Sequence, residues 1–106
     1  MELDGKVALV TGGAQGIGRV ISEELAGQGA HVILGDVNLE GAEKTAAELK
    51  QNGAKASAVR IDVSSSSDVQ SAFDSIIKEY KPVDILVNNA GITRDGLLVR
   101  MKETDW

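Results

Sequence analysis

One stretch constrains the fold of this chain more than any other: Lys6 to Gly18, read as KVALVTGGAQGIG. Val7, Ala8, Leu9 and Val10 form an unbroken apolar run, which suits a strand buried on both faces of a parallel sheet. Thr11, Gly12, Gly13, Ala14, Gln15, Gly16, Ile17 and Gly18 follow, and a helical pattern starts after them. Strand, glycine turn and helix together make an arrangement that binds a diphosphate. Gly12 lets the chain turn sharply off the strand, Gly16 removes a side chain where phosphates must approach backbone N–H groups, and Gly18 lets the helix lie close to the strand. The helix N-terminus then offers unpaired N–H donors and a positive dipole end. The bland alternative is a strand-to-helix turn with surplus glycine. The spacing is G-x3-G-x-G, a departure from the G-x-G-x-x-G of the usual dinucleotide fingerprint.

The pattern of strand then helix repeats along the chain. A first helix is expected over about 16–28, with Ile17, Val20, Ile21 and Leu25 on its inner face and Gly29 as its C-terminal cap. A second strand fits His31–Asp36, and a second helix Leu39–Gln51, with Leu39, Ala42, Ala46 and Leu49 in a stripe and Asn38 as N-cap. A third strand fits Ala56–Asp62. A third helix fits Ser67–Tyr80, capped by the serine run and stopped by Pro82. A fourth strand fits Asp84–Asn88, and the segment from Arg94 to Trp106 suggests a short, weakly capped helix. Alternation of this kind implies right-handed crossovers and a parallel sheet. The expected fold is therefore a doubly wound, Rossmann-type α/β sheet of about four strands, a partial version of that architecture. All 106 residues fall in one domain.

Composition narrows the function. A net charge of −5 disfavours a nucleic-acid or membrane-surface binder, because no basic stripe offsets it. It does not oppose one bound dinucleotide, whose phosphates can be held by backbone donors. With no cysteine and one histidine, neither a thiolate nor a histidine-built metal site is expected. Met1-Glu2-Leu3-Asp4 is no signal peptide, and no apolar run approaches a membrane span of about 20 residues. A cytoplasmic protein is the expectation.

Parallel strands share one C-terminal edge, and ligands bind beyond it. The glycine turn, Asp36, Asp62 and Asn89 all fall at expected strand C-termini. Asp36 lies 24 residues after Gly12, where a carboxylate can accept hydrogen bonds from the ribose of an adenosine. Its alternative role is an acid at a helix start; the surrounding motif favours the ribose. A 2′-phosphate beside Asp36 would be repelled by about 4 kcal/mol per charge pair at ~4 Å and an effective dielectric of ~20. No arginine stands at Gln15 or Val37 to offset this. NAD is therefore favoured over NADP.

Thr11-Gly12-x-x-x-Gly16-Ile17-Gly18, Asp62-Val63 and Asn88-Asn89-Ala90-Gly91 resemble the short-chain dehydrogenase/reductase family. The tail from Gly91 through Arg94-Asp95, Leu97-Leu98 and Arg100-Met101 to Trp106 resembles the 3-oxoacyl-acyl-carrier-protein reductases within it. The resemblance implies a strand order of 3-2-1-4. It implies that Gly12, Gly13, Ala14, Gln15, Gly16 and Ile17 line the pyrophosphate and that Asp36 holds the adenine ribose. Asp62 and Val63 would border the adenine, and Asn89, Ala90 and Gly91 would approach the inner ribose. The most similar members use NADPH, a pattern from which Gln15 and Asp36 depart.

The family's catalytic tyrosine precedes a lysine by four residues. Here the only tyrosine is Tyr80, and Asp84 stands four positions on. No catalytic residue is assigned in this chain, which resembles the first two-fifths of such an enzyme and is expected to be inactive alone. One expectation about association follows. The fourth strand would lie at an apolar sheet edge, and the third helix would cover only part of one face, so a homo-oligomer is expected. The rival readings are a non-catalytic nucleotide-binding module, a structural half-domain and a phosphoacceptor receiver domain. The last wants acids after the first strand, where Thr11-Gly12-Gly13 stands instead.

Overall fold

The apolar run after Lys6 forms the strand β1, Val7–Thr11, buried along its whole length. Around it the chain winds α1 (Gly16–Gly27), β2 (His31–Asp36), α2 (Leu39–Gln51), β3 (Lys55–Arg60), α3 (Ser66–Glu79), β4 (Ile85–Asn88) and β5 (Leu97–Arg100). The computed structural model describes residues 2–12, 16–62, 64–80, 82–88 and 97–100, with backbone alone at 88 and 97–100.

The sheet is ordered β3-β2-β1-β4-β5. The first four strands are parallel, in the expected order 3-2-1-4, a Rossmann-like α/β fold. The register is straight: Thr11 faces Gly35 on β2 and Asn88 on β4, and Asp36 faces Arg60 on β3. All four strands therefore end at one edge.

Beyond β4 the expectation fails. Leu97–Arg100 is the strand β5, antiparallel to β4 with Asn88 opposite Leu97, where a short helix was expected. A weakly capped segment gains little from forming a helix, whereas Leu97–Arg100 satisfy the open row of N–H and C=O groups along β4. β4 is thus an interior strand, not the unprotected edge. Residues 94–96 and 101–106 lie outside the described residues.

Two apolar layers sandwich the sheet. On one face, Ala8, Val10, Val32, Leu34, Ile85 and Val87 pack with Ala26 of α1 and Ala42, Ala46 and Leu49 of α2. On the other, Val7, Leu9, Ile33, Ile61 and Val83 pack with Ala72, Phe73 and Ile76 of α3. Tyr80 packs against this second layer, as its place on the helical stripe predicts. The caps expected at Asn38 and within the serine run are present: Asn38 Oδ1 accepts from Gly41 N–H at 3.1 Å, and Ser65 Oγ accepts from Asp68 N–H at 3.2 Å.

The inner face of α1 is not the expected one. Gly18, Ser22 and Ala26 are its buried residues, with Ile21 and Leu25 packed partly beside them. Ile17 and Val20 are each 63% exposed. Small side chains win because α1 must approach the sheet closely. The hydroxyl of Ser22 is accommodated by donating to Gly18 O at 2.7 Å, so no polar group is left unpaired.

Candidate functional site: the C-terminal edge of the sheet

At the end of β1, Gly12 takes φ +68° and donates its N–H to Gly35 O at 2.7 Å. Gly16, the first residue of α1, takes φ +62°, and a Cβ there would meet nothing within 4 Å among the described residues. Both conformations lie in the left-handed region that side chains disfavour. The chain thus leaves β1 and enters α1 through two hinges that only glycine adopts without strain. Gly13, Ala14 and Gln15 between them lie outside the described residues.

The electrostatics of the three helix starts differ. α2 carries Glu40 in its first turn and α3 carries Asp68, each placing a negative charge at the positive end of the dipole. α1 has no acidic residue in its first turn. At the sheet's C-terminal edge, the helix after the glycine turn is the one whose N-terminus the chain does not neutralise from its own first turn. Ile17 is exposed beside it and Gly18 is buried against the sheet.

Asp36 ends β2. Its Oδ1 accepts the N–H of Asn38 at 3.0 Å, so the helix-start role is present alongside any other. Val37, next to it, is 57% exposed, an apolar surface beside the carboxylate. Asp62 lies two residues beyond β3 rather than within it, on the same edge. Its Oδ1 accepts from Ser64 Oγ at 2.6 Å and from Ser64 N–H at 3.0 Å, and these bonds hold its carboxyl below the usual carboxylate range. Its own N–H donates to Asp68 Oδ2 at 2.6 Å, which ties the loop to the start of α3. Asp62 is therefore a carboxylate at neutral pH with a locked local geometry.

Val63, Asn89, Ala90 and Gly91 lie outside the described residues. The structure thus brings together Gly12, Gly16, Ile17, Gly18, Asp36 and Asp62 on one edge. A further positioning residue is Thr11. It is buried, and its hydroxyl donates to Val87 O at 3.3 Å, fastening the end of β1 to β4 beside the glycine turn. Its signal in the sequence is a hydroxyl residue ending an otherwise apolar run.

A dinucleotide fits what is present: an open approach over Gly16, an N-terminus without its own acid, and carboxylates at the ends of neighbouring strands. No group of three or more metal-ligating side chains occurs among the described residues. No helix among the described residues is long and apolar enough to cross a membrane.

Comparisons with known proteins agree with this geometry. The family model for short chain dehydrogenases matches residues 6–106. The chain is 49% identical over 106 residues to the 3-oxoacyl-[acyl-carrier-protein] reductase of Pseudomonas aeruginosa, covering 43% of that protein. It is 45% identical to the enzyme of the same name from Escherichia coli, covering 42% of it. The chain thus spans about two-fifths of the length of these relatives. Among solved structures it superimposes on a citronellol catabolism dehydrogenase of Pseudomonas aeruginosa with a TM-score of 0.82 and 40% identity, over 85% of this chain and 38% of that one. A hydroxysteroid dehydrogenase from Escherichia coli gives 0.80 and 41%, over 85% of this chain and 37% of that one. A glycine-hinged crossover at the head of a 3-2-1-4 parallel sheet, joined to these likenesses, places the chain in the short-chain dehydrogenase family.

Proposed function

We propose that this chain holds NAD across the C-terminal edge of its sheet, as the cofactor-binding part of an oxidoreductase that interconverts ketones and alcohols, with 3-oxoacyl thioesters or similar compounds as substrates. The observation that carries the reading is the α1 N-terminus, which has no acid in its own first turn and is reached through Gly12 and Gly16 in left-handed conformations. Backbone N–H groups from Gly12 to Gly18, a stretch that includes Gly13, Ala14 and Gln15, take the pyrophosphate. Asp36 takes the adenine ribose, and Val37, Asp62 and Val63 flank the adenine. Asn89, Ala90 and Gly91 approach the inner ribose. The nicotinamide, when bound, supplies or accepts the hydride. The carboxylate of Asp36 favours NAD over NADP. A cytoplasmic location suits a soluble cofactor of this kind.

No residue of this chain is assigned a proton-transfer role. Tyr80 stands at the opposite end of the sheet, half-buried against the α3 layer, beside His31 at the start of β2. Calorimetric titration with NAD is expected to give saturable heat, and Gly16→Val, which fills the open approach, is expected to abolish it. With NADH and a 3-oxoacyl thioester the 106-residue chain is expected to show no turnover. Absence of heat at millimolar NAD would overturn the cofactor assignment; turnover would overturn the inactivity.

The expectation of self-association changes its surface but stands as a proposal. With β5 covering β4, the surfaces proposed for a second copy are the edge strand β5 of the described sheet and the face beside α3. On that face Leu86 is only partly buried and Ile77 is 39% exposed. Light scattering at rising concentration is expected to show a growing mass. A constant monomer mass would remove this proposal.

A further inference from the structure

The N-terminal edge of the sheet, opposite the glycine turn, carries a second concave surface. A groove of about 250 Å³ is lined by Gly5, Lys6, Val7, Gly29, His31, Lys55 and Tyr80. Its walls come from three strand starts and the end of α3: Lys6 precedes β1, His31 opens β2, Lys55 opens β3, and Tyr80 caps α3. Register explains the grouping, because His31 is paired with Lys55 and with Val7 across its two neighbouring strands.

The side chains in this groove are fixed on one side and uncommitted on the other. His31 Nε2 lies 3.0 Å from Ser57 Oγ, and its ring meets Tyr80 edge-on, with centroids 5.0 Å apart and planes at 81°. The imidazole is thereby held in place. Lys6 and Lys55, by contrast, have no carboxylate partner among the described residues: the ion pairs there join Arg19 to Glu23 and Glu48, and Arg60 to Asp68.

The acids near this edge are engaged. Asp84 Oδ2 accepts the N–H of Val7 at 2.9 Å, and Asp4 has a partner of its own. Lys50, near the end of α2, adds positive charge near the imidazole, while Lys78 and Glu79 of α3 are exposed. The balance felt by His31 is positive: burial first, then Lys55, then Lys50 hold its imidazole below the usual histidine range, and no carboxylate among the described residues opposes them.

We propose that this groove binds a phosphate-class oxyanion, free or as a monoester, between the ammonium groups of Lys6 and Lys55, with Tyr80 and His31 on its walls. Two ammonium groups match a dianion, and the phenol and imidazole add neutral donors at the remaining oxygens. The bound dianion offsets the field of the lysines, so it favours the imidazolium and raises the affinity of His31 for a proton. The site is separate from the dinucleotide edge and does not depend on the NAD assignment.

His31 is the one histidine in the sequence, so its ring resonances report the site without ambiguity. The full chain, free of cofactor, is titrated with inorganic phosphate and with methyl phosphate, each against sodium chloride at matched ionic strength. Saturable shifts of the His31 ring signals are expected with the phosphates and not with chloride. A His31 titration midpoint higher in saturating phosphate than in chloride is also expected. Lys6→Gln and Lys55→Gln are each expected to weaken binding by roughly tenfold or more, with circular dichroism confirming the fold. Tighter binding of methyl phosphate assigns the site to phosphomonoesters, and tighter binding of inorganic phosphate assigns it to the free ion. Linear, chloride-like shifts, or an unmoved His31 midpoint in the wild-type chain, overturn the proposal whether or not the variants fold.

Discussion

Asp36→Asn is expected to raise the affinity for NADP by nearly three decades while lowering that for NAD. The variant keeps an oxygen that can accept the Asn38 N–H, the 3.0 Å bond at the end of β2, and removes the charge. What it removes is about 4 kcal/mol of repulsion against a 2′-phosphate at ~4 Å and an effective dielectric of ~20, a little under a thousandfold in affinity. NAD loses a charge-assisted hydrogen bond to its ribose, about 1.5–3 kcal/mol, so its binding weakens by roughly ten- to a hundredfold. Calorimetric titration of both cofactors into both proteins gives the four constants needed. An unchanged ratio of NAD to NADP affinity would show that Asp36 does not stand beside the ribose.

Leu9→Ala is expected to cost about 2–5 kcal/mol of stability. Leu9 is fully buried at the middle of β1, in the layer formed with Ile33, Ile61, Phe73 and Ile76. Domains are stable by only about 5–15 kcal/mol, so the loss is a large share of the whole. Urea unfolding followed by circular dichroism should show a lower midpoint with an unchanged slope. Ile17→Ala is the control. At 63% exposure it should move stability by no more than about 0.5 kcal/mol. Equal costs for the two variants would mean that α1 packs through its large apolar residues after all.

That control marks where sequence reading and structure part. Helical spacing gathers Ile17, Val20, Ile21 and Leu25 onto one stripe, and spacing alone cannot say how near a helix lies to its sheet. Gly18, Ser22 and Ala26 face inward because of how α1 docks on the assembled sheet, which lies outside any local pattern. Asp36 is a similar case. Its position at the end of the second strand was legible, but the bond to Asn38 N–H depends on how the chain turns into α2.

Local chemistry was enough for the alternation of strands and helices, the caps at Asn38 and within the serine run, and the glycine turn at the head of the first crossover. Each rests on neighbours a few residues apart, and the right-handed crossover then leaves few ways to order four parallel strands. The pairing of Leu97–Arg100 with β4, the burial of small residues under α1 and the meeting of Lys6, His31, Lys55 and Tyr80 at one edge arise otherwise. They join residues far apart in the chain, and no local pattern encodes such a distance; the register of the assembled sheet fixes them.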